Sequence, residues 1–127
     1  DVFKIESAPH DWLFPRMAAI VHHGGAGTTA ASLRSGKPTI VLPFFGDQPF
    51  WGQRVEKLGV GRQIERKKLT AETLAQAIAM ATGDITLRER AAALGERIRA
   101  EDGVGVATRI IDNYLRERAR SSVSVPA

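Results

Sequence analysis

A chain of 127 residues, 43% apolar and 25% charged, has the size and balance of one globular domain with a single core. It has no cysteine, which excludes disulfides and thiolate metal sites, and no apolar run near the roughly 20 residues that would cross a bilayer. The net charge of +4 is spread over helical faces interleaved with glutamates and without aromatics, a pattern of solvated helices and not of a nucleic-acid surface.

In chain order, Val2 to Ile5 alternates weakly and predicts a short strand. "PHDWLFPRM" predicts a loop with one helical turn, broken by Pro15. Ala18 to His22 is a compact apolar run and predicts a strand. From Thr28 the pattern turns helical until Gly36, followed by Lys37-Pro38, stops it. Thr39 to Leu42 is β-branched and fully apolar, as in a strand covered on both faces of a parallel sheet. Pro49 to Leu58 predicts a helix with Trp51, Val55 and Leu58 on its inner face and Gly59 as its stop. Val60 to Ile64 predicts another strand.

Thr70 is the predicted N-cap of the next helix, with Leu69 stapled against Leu74 and with Leu74, Ile78 and Ala81 buried as far as Gly83. Leu87, Ala91, Leu94 and Ile98 mark a further helix; Ile110 and Tyr114 mark the last. Arg97–Glu101 and Asp112–Arg116 stand four apart and suit solvated helix faces. Strands alternating with helices predict an α/β domain, a Rossmann-like parallel sheet with flanking helices, over residues 1–115. Residues 116–127 are expected to be a disordered tail. Because the chain begins at Asp1 without methionine, it is expected to be a fragment that lacks its domain's first elements.

Between the second predicted strand and its helix lies "HHGGAGTT". A strand, a glycine-rich turn and a helix start make an anion site: the first helical N–H groups lack partners and the helix dipole is positive there. Thr28 and Thr29 add hydroxyl donors. Strand alternation sends His22 and His23 to opposite faces, so the pair cannot chelate one metal, and one imidazole is left to face a ligand crevice at the strand's end. Two alternatives stand beside this reading. One is a plain tight turn. The other is a dinucleotide fold, because Gly25-Ala26-Gly27-Thr28-Thr29-Ala30 satisfies G-x-G-x-x-G/A, although Asp47 comes late for its ribose acid. "PFFGDQPFW" leaves the next strand toward the same crevice, and Asp47 with Gln48 offers acceptors and donors suited to sugar hydroxyls. The competing role for either residue is a helix cap.

"HHGGAGTT", preceded by "APHDWLF" and followed by "PFFGDQPFW", resembles the donor-binding signature of UDP-dependent glycosyltransferases of the GT-B fold, and among them the sterol 3-beta-glucosyltransferases. "SLRSGKPTIVLPFFGDQ" and "IRAEDGV" carry the same resemblance, which covers about residues 1 to 115. It implies a C-terminal GT-B domain that binds UDP-glucose or a related UDP-sugar. His22, Gly24, Gly25, Ala26, Gly27, Thr28 and Thr29 would hold the diphosphate, with Gly27 and Thr28 as backbone donors. Asp47 and Gln48 would hold the sugar, and Ala8 and His10 would flank uracil and ribose. Two positions depart from the family: Ser7 stands where plant relatives stack uracil on tryptophan, and Ala30 where many hold ribose with glutamate.

The resemblance further implies inverting transfer to a hydroxyl of a lipophilic acceptor, with a non-catalytic nucleotide-sugar-binding module as the alternative. The general base and the acceptor pocket would then lie in an N-terminal domain outside this chain, so no catalytic residue is assigned within it. There is no D-x-D and no oxygen cluster for a divalent ion, so neither metal nor cofactor is expected, the UDP-sugar being a co-substrate. A cytoplasmic location, with weak attraction to an anionic membrane surface, suits the absence of cysteine and the positive charge.

Overall fold

Thr39, Ile40 and Val41 form the middle strand of the sheet, and all three are buried. Alternation sends Ile40 to one face and Val41 to the other. Ile40 packs with Ile64, Ala77 and Ala81, while Val41 packs with Val55, Val60 and Ala91. A strand with apolar partners on both sides needs helices on both sides, which is why this run shows no polar face. Ile40, Val41, Val55 and Val60 are almost wholly enclosed, and each such side chain contributes about 1.5–3 kcal/mol of burial free energy.

The computed structural model describes residues 2–123. The elements are α1 (His10–Leu13) with a 3-10 turn at Phe14–Arg16, β1 (Ile20–His22), α2 (Ala26–Ser35), β2 (Thr39–Val41), α3 (Gln48–Lys57) and β3 (Gly61–Gln63). A 3-10 turn at Arg66–Lys68 then leads to α4 (Ala71–Gly83), α5 (Ile85–Ala100) and α6 (Gly103–Val123). The sheet is parallel throughout, in the order β1-β2-β3, and His22, Val41 and Gln63 are register partners at its C-terminal edge. The loops after β1 and β2 therefore leave from one edge. Ser32 on α2 and Thr39 on β2 share a buried hydroxyl–hydroxyl hydrogen bond of 2.5 Å, which ties this helix to the sheet.

Several expectations are corrected. Val2 to Ile5 forms no strand; Val2 and Phe3 are exposed, and β1 pairs only with β2. The strand expected from Ala18 begins at Ile20, and α2 begins at Ala26 rather than Thr28, with Gly25 in extended backbone as its N-cap. On α3 the buried face is Gln48, Gly52 and Val55; Leu58 is exposed and Trp51 half-buried. Val55 is common to both faces, and Gln48 and Gly52 join it in place of Trp51 and Leu58, with Gln48 held inward by its bonds to the loop before it. Ile78 is exposed, and Ala77 takes the inner place on α4 between Leu74 and Ala81. Thr70 does cap α4: its hydroxyl accepts from the Thr73 N–H while the Thr73 hydroxyl accepts from the Thr70 N–H.

The tail expected from residue 116 continues as helix through Val123, with Asp112–Arg116 paired at 2.9 Å and Arg118 over the Tyr114 ring. Those i,i+4 contacts suit helix in a stretch whose arginines and glutamate also favour it. The remainder of the expected tail, residues 124–127, lies outside the described residues. No helix among the described residues is long and apolar enough to cross a membrane.

Candidate functional site

The chain leaves β1 at His22 and turns at once. Gly24 has φ of +93°, and a Cβ there would lie 2.6 Å from Val41 Cγ1 and 3.1 Å from the Gln48 carbonyl oxygen, so only glycine fits this turn. The Gly24 N–H donates to His22 Nδ1 at 2.9 Å. An imidazole nitrogen that accepts carries no proton, so the neutral ring of His22 holds its proton on Nε2. That Nε2 is buried and has no hydrogen-bond partner among the described residues. The free protein thus carries an unmet donor at the mouth of the glycine turn, a costly feature unless something satisfies it.

Helix α2 follows, and its first three N–H groups, on Ala26, Gly27 and Thr28, are those that an α-helix leaves without internal partners. Space around Gly27 is open: a Cβ there would meet nothing within 4 Å. Thr28 is half-buried at this end. Two residues assigned to the diphosphate by resemblance are otherwise engaged. The Gly24 amide is taken by His22, and the Thr29 amide donates to the Gly25 carbonyl at 2.9 Å. The Thr29 hydroxyl, expected as a donor to ligand, is buried without a partner, because the fourth residue of the helix turns inward. Gly25 caps the helix, with the ring of His23 against it.

The expected divergence of the two histidines does not occur. Alternation stops where the strand stops, at His22, and the two rings lie edge to face with centroids 6.3 Å apart. His10, which stacks on the buried Phe14 at 4.4 Å, also acts on His22. The His22 pKa is pushed down to about 4, first by burial away from water and then by the charges of the His23 and His10 imidazoles. His10, twelve positions earlier in the chain, thus shares one neighbourhood with His22 and His23. Among the described residues no group of three His, Asp or Glu side chains could hold a metal ion.

This shift carries a testable sign. An unfolded His22 takes up a proton near pH 6.5, whereas the folded one does so only near 4. Between these values the unfolded state binds more protons, so the contribution of His22 to stability falls as pH drops from 6.5 toward 4. Denaturant melts across that window should show the fall, and a His22→Ala protein should show a shallower one. An unchanged slope in the variant would mean that another group titrates.

In the loop after β2, Asp47 stands before α3 without capping it; its Oδ2 accepts from Trp51 Nε1 at 2.8 Å. Asp47 is exposed, and five residues separate it from the end of β2, so it does not occupy the strand tip where a dinucleotide fold holds ribose. Gln48 is buried, and its Oε1 accepts from the Phe44 and Phe45 amides at 2.7 and 3.2 Å. Its carbonyl therefore shapes the loop, and its NH2 group is what remains to meet a ligand. Ala8 is half-buried and His10 exposed, at the start of α1, which packs against α2. These roles left no signal in sequence spacing, since each depends on which amide or ring the fold brings near.

Comparisons with known proteins give the chain a family and a fold. Residues 1–112 match the family described as "Erythromycin biosynthesis protein CIII-like, C-terminal domain". A sterol 3-beta-glucosyltransferase of Emericella nidulans is 54% identical over 129 aligned residues, covering 98% of this chain and 9% of that protein. The chain thus spans about a tenth of that relative's length. The solved glycotransferase of kitacinnamycin superposes with a TM-score of 0.78 at 30% identity, over 84% of this chain and 28% of that one. The glycosyltransferase VinC, solved in complex with DTDP, superposes at 0.75 with 25% identity, over 86% and 29%. The solved neighbours are GT-B glycosyltransferases, which gives this parallel α/β sheet its architecture.

Proposed function

We infer that this chain, which belongs to the erythromycin biosynthesis protein CIII-like C-terminal domain family, is the donor-binding half of an inverting glycosyltransferase. The donor is a UDP-hexose, with glucose favoured by the resemblance to sterol 3-beta-glucosyltransferases, and the acceptor a hydroxyl of a sterol-like or other lipophilic molecule. The observation that carries this is the unmet Nε2–H of neutral His22 beside the open N-terminus of α2. Both present donors where a diphosphate would lie, and both would stabilise the negative charge that grows on departing UDP. No metal is invoked for that task. On this reading Asp47 and the NH2 of Gln48 hold the sugar, and Ala8 and His10 flank the nucleoside.

The general base and acceptor pocket, on this reading, lie outside this chain, which spans 9% of one relative and 28% of one solved neighbour. On this reading the domain works in the cytoplasm, its net charge of +4 giving weak attraction to an anionic membrane surface.

Calorimetric titration with UDP, UDP-glucose and NAD should give binding to the first two alone. Saturable NAD binding with no response to UDP would overturn the assignment. Asp47→Ala tests the sugar contact. It should weaken UDP-glucose by roughly 1.5–3 kcal/mol, as for a hydrogen bond to a charged group, and leave UDP almost unchanged. Because the carboxylate does not cap α3, little stability should be lost with it. An unchanged ratio of the two affinities would leave Asp47 as no more than a brace for Trp51.

A further inference from the structure

A second feature lies at the other end of α2. The helix runs ten residues from the glycine turn, a span of roughly 15 Å, to Ser35. There a groove of about 440 Å3 opens between α1, the end of α2 and α5, and Arg34, Lys37 and Arg99 line it together with His10. The close approach of Gly36 to Gly95 explains how α2 and α5 bring their cations to one lip, since a Cβ on Gly95 would fall 2.6 Å from the Gly36 Cα. Asp11 is the one carboxylate of the lining, and it accepts from the Trp12 amide. Among the described residues, none of the three cations is in an ion pair.

Compensation of the negative end of the α2 dipole accounts for part of this. Arg99 Nη1 donates to the Arg34 carbonyl and Arg34 Nη1 to the Ile98 carbonyl. Each guanidinium has five N–H donors and spends one nitrogen in this way, so most of each fork stays available. The side chain of Lys37 makes no bond among the described residues. Three like charges on one concave surface repel one another, and a multiply charged anion would relieve that repulsion.

We propose that the groove lined by the three cations Arg34, Lys37 and Arg99 binds a phosphorylated anion, at a site separate from the glycine turn. Guanidinium forks match phosphate oxygens two at a time, and an ammonium adds a point charge.

The test titrates the 127-residue chain with inorganic pyrophosphate, by calorimetry, with UDP at saturation so that the glycine turn is occupied. Pyrophosphate should still bind, more weakly as salt rises. Lys37→Glu should weaken it roughly tenfold, while Lys67→Glu, the same charge change on the exposed Arg66–Lys68 turn, should have little effect. Sedimentation with phosphatidylcholine vesicles, with and without phosphatidylinositol 4-phosphate, then separates the sources. Lys37-dependent capture by the phosphorylated lipid names a headgroup, and binding in solution alone names a soluble phosphate. Failure of pyrophosphate to bind, its displacement by UDP, or equal effects of the two lysine variants would overturn the proposal. UDP binding is measured in its own titration, so the donor reading and this one fail separately.

Discussion

His22→Ala should weaken UDP binding by roughly 1.5–3 kcal/mol, a loss of about ten- to a hundredfold or more, while uridine binding scarcely changes. The lost group is the Nε2–H donor, which the protein itself leaves unmet. Its proton is held there because Nδ1 accepts from Gly24, so the ring needs no reorganisation to meet a phosphate oxygen. His23→Ala is the natural comparison. Its ring lies close to that of His22 but is exposed, and an exposed donor competing with water contributes less. Calorimetry on both variants with UDP and uridine decides the matter. Equal losses from both histidines, or equal losses for both ligands, would remove His22 from the diphosphate.

Gly24→Ala should destabilise the fold severely, whereas Gly27→Ala should leave it intact and damage only binding. At Gly24 a side chain would face φ of +93° together with contacts of 2.6 and 3.1 Å to Val41 and Gln48. Backbone strain and overpacking together cost roughly 2–5 kcal/mol, a large share of the stability of a domain this size. Gly27 is the opposite case. It is helical and unobstructed, so alanine should raise stability by about 0.5–1 kcal/mol through a stiffer unfolded chain. The new methyl group would, however, occupy the space through which a diphosphate approaches the free N–H groups. A thermal melt with a UDP titration on each protein checks both halves. Wild-type UDP affinity in Gly27→Ala would show that nothing binds against that turn.

Local pattern was enough for much of this molecule. The doubly apolar run Thr39 to Val41, the glycine stops at Gly36 and Gly59 and the Thr70 cap follow from dihedral preference and nearest neighbours. So does the placement of "HHGGAGTT" between a strand and a helix. These are decided within a few residues, and the sequence states them directly. Only the tertiary structure decided which groups are spent and which are free. His22 and His23 came together because the strand ends between them, and pairing with β2 sets that end. The face of α3 turned inward at Gln48 because two amides from the preceding loop needed an acceptor. Thr29 is buried because the fourth residue of α2 faces the core. In each case hydrogen bonding and burial are settled by groups distant in the chain or by the direction of a neighbouring element, and residue spacing carries no record of either.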